Sequence, residues 1–178
     1  MSLVSCLTCE RSAILEIPIE KKFHVLSEIV RASHFEWLRA VKALAPQLDE
    51  AQLVREYWQE VGHDTARAYL PHIDRDKPLP EQVARSFSFS SQCMGEDCGV
   101  KPGKDENEYF AEHTACPWFD QHKKEGKLEL DLPGCDAWLE SVVDGINKVL
   151  GTELKVETVK SLPAGDNVCL RRFWVEQA

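Results

Sequence analysis

The chain has 178 residues, the length of one domain, and its 43% hydrophobic content with five Trp and seven Phe excludes wholesale disorder. Twenty-one basic residues against thirty acidic ones leave a net charge of −9, which repels nucleic acid and anionic membranes at long range and argues against both as partners. The longest run without a charged residue is ten, Ser86 to Gly95, whereas a membrane-spanning helix needs about twenty apolar residues. Seven cysteines (6, 9, 93, 98, 116, 135 and 169), an odd number with no basic-then-apolar leader after Met1, predict reduced thiols and a cytoplasmic location.

Residues 1–17 read as an N-terminal arm carrying Cys6 and Cys9, and 18–178 as a single domain. From Ile19 to about Ala45, Phe23, Leu26, Val30, Trp37, Leu38, Val41 and Leu44 recur at three- and four-residue steps, which predicts an amphipathic helix ended by Pro46. Asp49 as N-cap with Gln52 three residues on opens a second helix. Its predicted buried face carries Leu53, Tyr57, Trp58, Val61 and Ala68, and it stops before Pro71. The short joint implies an antiparallel hairpin of helices. This helical part spans 18–72 and a sheet-containing part spans 80–176.

After a linker at Asp74–Pro80, the alternation of aromatic and small polar residues from Arg85 to Gln92 predicts a half-buried strand. Met94 to Asp105 is rich in turn residues, and Asn107 to Ala115 reads as another strand. Pro117, with Cys116 just outside, opens a short helix that runs out at Gly126. A longer helix from about Pro133 carries Cys135, Trp138, Leu139, Val142, Val143, Ile146, Val149 and Leu150, with Gly151 as its C-terminal cap. Two last strands, Glu153–Ser161 and Asn167–Glu176, form a hairpin across a loop of about five residues. The fold class is therefore α+β: an N-terminal antiparallel helix hairpin packed on a mainly antiparallel sheet, with two further helices.

Chemistry concentrates on the thiols. Cys116 and Cys135 each begin a helix, where free N–H groups and the positive dipole end lower a thiol pKa. Each reads either as a nucleophile or metal ligand, or as a cap and a core residue. His113 and Asp136 stand close in sequence and supply the histidine and carboxylate that nucleophile activation requires. Cys98, Cys116, Cys135 and Cys169 are an alternative zinc set, although gaps of 18, 19 and 34 residues match no compact zinc-finger spacing. Arg171 and Arg172 are adjacent on the last strand, so one faces each side of the sheet. The inward one needs a buried acid or an acidic ligand.

Cys116-Pro-Trp-Phe119, Cys135-Asp136, Gly145-Ile-Asn147 and the closing Ser161-Leu-Pro-Ala-Gly-Asp-Asn-Val-Cys-Leu-Arg-Arg-Phe173 resemble the L-2-amino-thiazoline-4-carboxylic acid hydrolase-like family. The ending is more distantly similar to 4-vinyl reductase-type small-molecule-binding domains, some of which hold zinc through cysteines. The resemblance implies a domain around a small-molecule pocket and water-driven opening of a cyclic amidine C–N bond in a thiazoline carboxylate. It implies Cys116, His113 and Asp136 as catalytic groups, with Arg171, Arg172 and Trp118 binding substrate. The alternative function is a non-catalytic small-molecule-binding or sensor domain, with cysteine-bound zinc as the one cofactor considered. In a third reading Trp37, Tyr57 and Trp58 form an interface in a homo-oligomer or a larger complex.

Overall fold

A computed structural model describes residues 16–176; the Cys6–Cys9 pair and most of the arm fall outside them. Helix α1 (Ile19–Leu44) leads through residues 45–49 into α2 (Glu50–Tyr69). The predicted cap is present, with Gln52 N–H donating to Asp49 Oδ1 at 2.8 Å. Asp49→Ala is expected to cost about 1 kcal/mol, read as a lower urea midpoint at unchanged slope.

The α1 face differs from the sequence expectation in all but Leu38 and Val41, and the α2 face mainly in Ala68. On α1 the buried side is Ser27, Arg31, His34, Phe35 and Leu38, while Phe23, Leu26, Val30, Trp37 and Leu44 are exposed. Polar groups win the inward face because they find tertiary partners or aromatic neighbours there: Arg31 donates to the Met94 carbonyl at 2.8 Å, and His34 packs among rings. On α2 Val54, Gly62, Ala66 and Tyr69 are fully buried; of the expected face, Leu53, Tyr57, Trp58 and Val61 are half-buried and Ala68 is exposed.

The segment expected as a strand, Arg85–Gln92, is part of α3 (Leu79–Cys93). Val83, Ala84, Phe87, Ser88 and Ser91 are buried at helical spacing, which leaves Phe89 68% exposed on the outer side. The Phe-Ser alternation fits either period over so short a run. Burial of small serines, with Ser88 Oγ donating to the Cys98 carbonyl at 2.9 Å, makes the helical period the favourable one. The turn-rich stretch contains β1 (Asp97–Pro102), an edge strand that tolerates Gly99 and Pro102.

The remaining elements are β2 (Glu108–Ala115), α4 (Pro117–Glu125), α5 (Asp131–Leu150), β3 (Lys155–Lys160) and β4 (Cys169–Trp174). Pro133 sits in the first turn of α5, where backbone N–H groups have no intrahelical partner to lose. Gly126 and Gly151 end their helices with φ of 68° and 69°, a left-handed conformation that glycine adopts without strain. All strand pairs are antiparallel, in the order β1-β2-β4-β3. The β3–β4 loop is longer than expected, residues 161–168, and holds a turn of 3₁₀ helix at Leu162–Ala164.

The main core joins α3 and α5 to one face of the sheet through Val83, Phe87, Val142, Ile146, Leu154 and Phe173. Helix α2 covers the other side of α5, where Gly62, Gly134 and Gly145 permit close approach. Among the described residues no helix is long and apolar enough to cross a membrane.

Candidate functional site

Strand alternation decides what each arginine does. Cys169, Arg171 and Phe173 point inward from β4, and the register sets Arg171 opposite Ala111 and Thr158. Arg172 points outward to Glu108 and Glu157, with its guanidinium 4.5 Å from the Trp174 ring centre. It is a surface brace, away from the interior.

A cavity of about 450 Å³ lies between the helices and the inner face of the sheet. Its walls include Trp58, Phe87, Trp118 and Trp138, and Glu96, His113, Asp131 and Arg171 also line it. Such a mainly aromatic pocket with a few convergent polar groups is the usual form of a small-molecule site. Trp138 Nε1–H donates to Thr65 Oγ1 at 3.0 Å, which ties the α2 and α5 walls together.

Arg171 is 2% exposed. Its Nη1 donates to Thr158 Oγ1, its Nη2 to Cys135 Sγ at 3.1 Å, and Asp136 Oδ1 stands 3.7 Å from Nη1. Its Nε–H has no acceptor among the described residues. A buried guanidinium with no direct carboxylate hydrogen bond is costly unless an anion completes it.

His113 Nε2 lies 2.8 Å from Glu96 Oε2 and 2.9 Å from Ser91 Oγ. Burial alone would lower its pKa. Hydrogen bonds to Cys98 and Glu96, with the Glu96 charge, outweigh that and raise it to about 9. The imidazolium is thus the resting form at neutral pH.

The thiols behave differently from the sequence expectation. Cys116 does N-cap α4, and the Phe119 N–H favours its thiolate, yet burial and then the Glu96 charge push its pKa well up. Burial likewise raises Cys135 to about 11, against the pull of Arg171. Desolvation exceeds the helix-terminus contribution because both thiols are largely enclosed by the cavity walls. Asp136 is 36% exposed in its side chain, outside the cavity wall, and receives Thr158 Oγ1–H. It braces Arg171 from behind.

The zinc set does not fit this arrangement. Cys98 bonds His113, Cys135 accepts from Arg171, and Cys169 Sγ accepts from the Leu162 N–H at 3.3 Å. Among the described residues no group of three or more His, Cys, Asp or Glu side chains is placed to hold a metal ion. Trp118, by contrast, lies in the cavity wall as expected.

Sequence reasoning missed Glu96 and Asp131, which no motif marks, and the pairing of His34 with His122. Those two imidazoles lie 6.2 Å apart among Phe35, Tyr57, Trp58 and Trp118. The motifs that carry the family resemblance build the scaffold. Asn147 Nδ2 donates to the Leu154 carbonyl at 2.8 Å, and its Oδ1 accepts from the Leu154 N–H at 2.9 Å, fixing the turn from α5 to β3. Asp166 Oδ2 accepts from the Ser161 N–H at 2.9 Å and closes the β3–β4 loop.

Comparison with known proteins agrees with this architecture. A search of curated proteins finds no match. Among solved structures, the chain is similar to a trafficking protein particle complex subunit 3 from Naegleria fowleri, covalently bound to palmitic acid. The identity is 14% with a TM-score of 0.55, over 86% of this chain and 97% of that one, which is a likeness of fold. The family model for L-2-amino-thiazoline-4-carboxylic acid hydrolase matches residues 27–173, and the chain belongs to that family.

Proposed function

We propose that the cavity binds a small amphipathic carboxylate and that the chain opens a cyclic amidine in it with water. The observation that carries this reading is Arg171, buried at the cavity wall, where among the described residues its Nε–H is unpaired and no carboxylate is hydrogen-bonded to it. A ligand carboxylate would complete the guanidinium's hydrogen bonding, which Asp136 at 3.7 Å leaves unfinished, while the aromatic walls take the apolar body. His113, protonated up to about pH 9, suits proton donation to the departing nitrogen. Water adds to the amidine carbon and the ring C–N bond breaks; the water oxygen becomes the product carbonyl and both of its protons end on the departing ring nitrogen, which leaves as the amine. The attacking group is water, because burial keeps the Cys116 thiol protonated.

The test is calorimetric binding and turnover of 2-aminothiazoline-4-carboxylate. Loss of the Arg171 contact in Arg171→Met is expected to weaken binding about 100-fold, the size of a buried charge-assisted pair. Equal binding by wild type and variant, or none by wild type, sinks the reading.

A second reading is favoured by the aromatic, apolar walls and by the palmitic acid on the structural neighbour. In it the cavity holds an acyl chain, and Cys116 is one of the four thiols that line it. Intact mass of the purified protein decides between the two: an acyl increment lost on hydroxylamine treatment supports the acyl reading.

A further inference from the structure

Asp131 begins α5 and lines the same cavity as Arg171. Its side chain is 10% exposed, and among the described residues no donor hydrogen-bonds to it. The nearest basic atom is His122 Nδ1 at 3.7 Å, and that nitrogen already lies 2.9 Å from the Trp118 carbonyl. Glu108 shows the contrast: with an equally buried side chain, it receives the Lys104 N–H at 2.9 Å and the Arg172 guanidinium. Glu96 has His113. Asp131 alone of the three is left without a donor, and it forms no ion pair with Arg171 although each feels the other's charge. A buried acid and a buried base that share one cavity wall and do not pair with each other leave room for a ligand of both signs.

We infer that Asp131 receives the nitrogen end of the ligand, a cationic or N–H-bearing group such as an amidinium or ammonium, while Arg171 holds the carboxylate. An ionised carboxylate only accepts hydrogen bonds, so a second anion or an ether oxygen does not satisfy it. This rests on the carboxylate reading of Arg171 and assigns the residue that receives the amidine end of that ligand. Burial raises the Asp131 pKa against the pull of His122 and Arg171, and a cationic ligand would oppose that rise.

Three matched probes test this on the full chain by calorimetry: 2-aminothiazoline-4-carboxylate, thiazoline-4-carboxylate without the amino group, and 2-aminothiazoline without the carboxylate. Wild type is expected to prefer the first over the second by about 30-fold, the worth of a charge-assisted hydrogen bond. Asp131→Asn and Asp131→Ser are expected to reduce that preference below about threefold. Both should bind thiazoline-4-carboxylate as wild type does, which also shows that they fold. A preference that survives in both variants, or is absent from wild type, overturns the inference and leaves the Arg171 reading standing. Asp131-dependent binding of 2-aminothiazoline, with no gain from the carboxylate, supports the inference and overturns the Arg171 reading. No binding of any probe overturns both.

Discussion

Gly62→Ala is expected to lower the stability of the chain by about 3 kcal/mol, at the upper end of overpacking costs. A Cβ at Gly62 falls 2.6 Å from the Trp138 carbonyl oxygen and 2.6 Å from Ser141 Cβ. The carbonyl belongs to the α5 backbone, so relief requires α2 and α5 to separate. In an isolated helix the same change gains about 0.5–1 kcal/mol, and the net sign therefore reports interhelical contact. For a domain of this size the loss corresponds to a fall in melting temperature of about 6–12 °C. Gly145→Ala meets only the Ala66 methyl, at 2.7 Å, and should cost less. Trp58 and Trp138 form cavity wall at this contact, so ligand binding should weaken alongside stability. An unchanged or raised melting temperature would show that the helices do not pack as described.

The second large effect is a stability maximum near pH 6.5, with a separate histidine behind each limb. His113 has its pKa raised in the folded state, from 6.5 to about 9. Its contribution is full below pH 6.5, declines as pH rises because the unfolded chain loses that proton first, and is gone above about 9. His34 has its pKa lowered by burial, and then by the charge of His122, to about 4. Its contribution is full above pH 6.5 and is lost as pH falls towards 4, because the unfolded chain takes up the proton that the folded one refuses. Each shift is worth about 3 kcal/mol at its limit, at 1.36 kcal/mol per pKa unit. Urea unfolding from pH 4 to pH 10 should show both limbs. His113→Gln should flatten the alkaline limb and His34→Phe the acid one. Flattening of the wrong limb, or of neither, would refute the assignment.

The two histidines illustrate why the site was only partly legible in the sequence. His113 stands close to Cys116 in sequence and does line the cavity, but its partners are Glu96, Ser91 and Cys98, well before it in the chain. His34 fell between the expected apolar positions of α1 and went unnoticed. The aromatic box that buries it comes from α2 and α4 as well as α1. Asp136 was the obvious acid beside Cys135, yet helical geometry turns it towards Thr158, and Asp131 a turn earlier faces the cavity.

Local signals were sufficient wherever one residue determines backbone conformation. The Asp49 cap, Pro117 opening α4, and Gly126 and Gly151 ending their helices are all present. So are the antiparallel final hairpin and the opposite facing of Arg171 and Arg172. The α+β class and the hydrolase family were readable too, because the segments carrying the resemblance are those that shape the α5–β3 turn and the β3–β4 loop. Tertiary structure alone decided that Arg85–Gln92 is helical, which face of α1 is buried, and that burial raises the Cys116 and Cys135 pKa values. Those outcomes depend on desolvation and packing against residues far along the chain. The acidic composition argued against nucleic acid from the start, but the positions of two buried groups, Arg171 and Asp131, at one cavity could only be seen once the chain was folded.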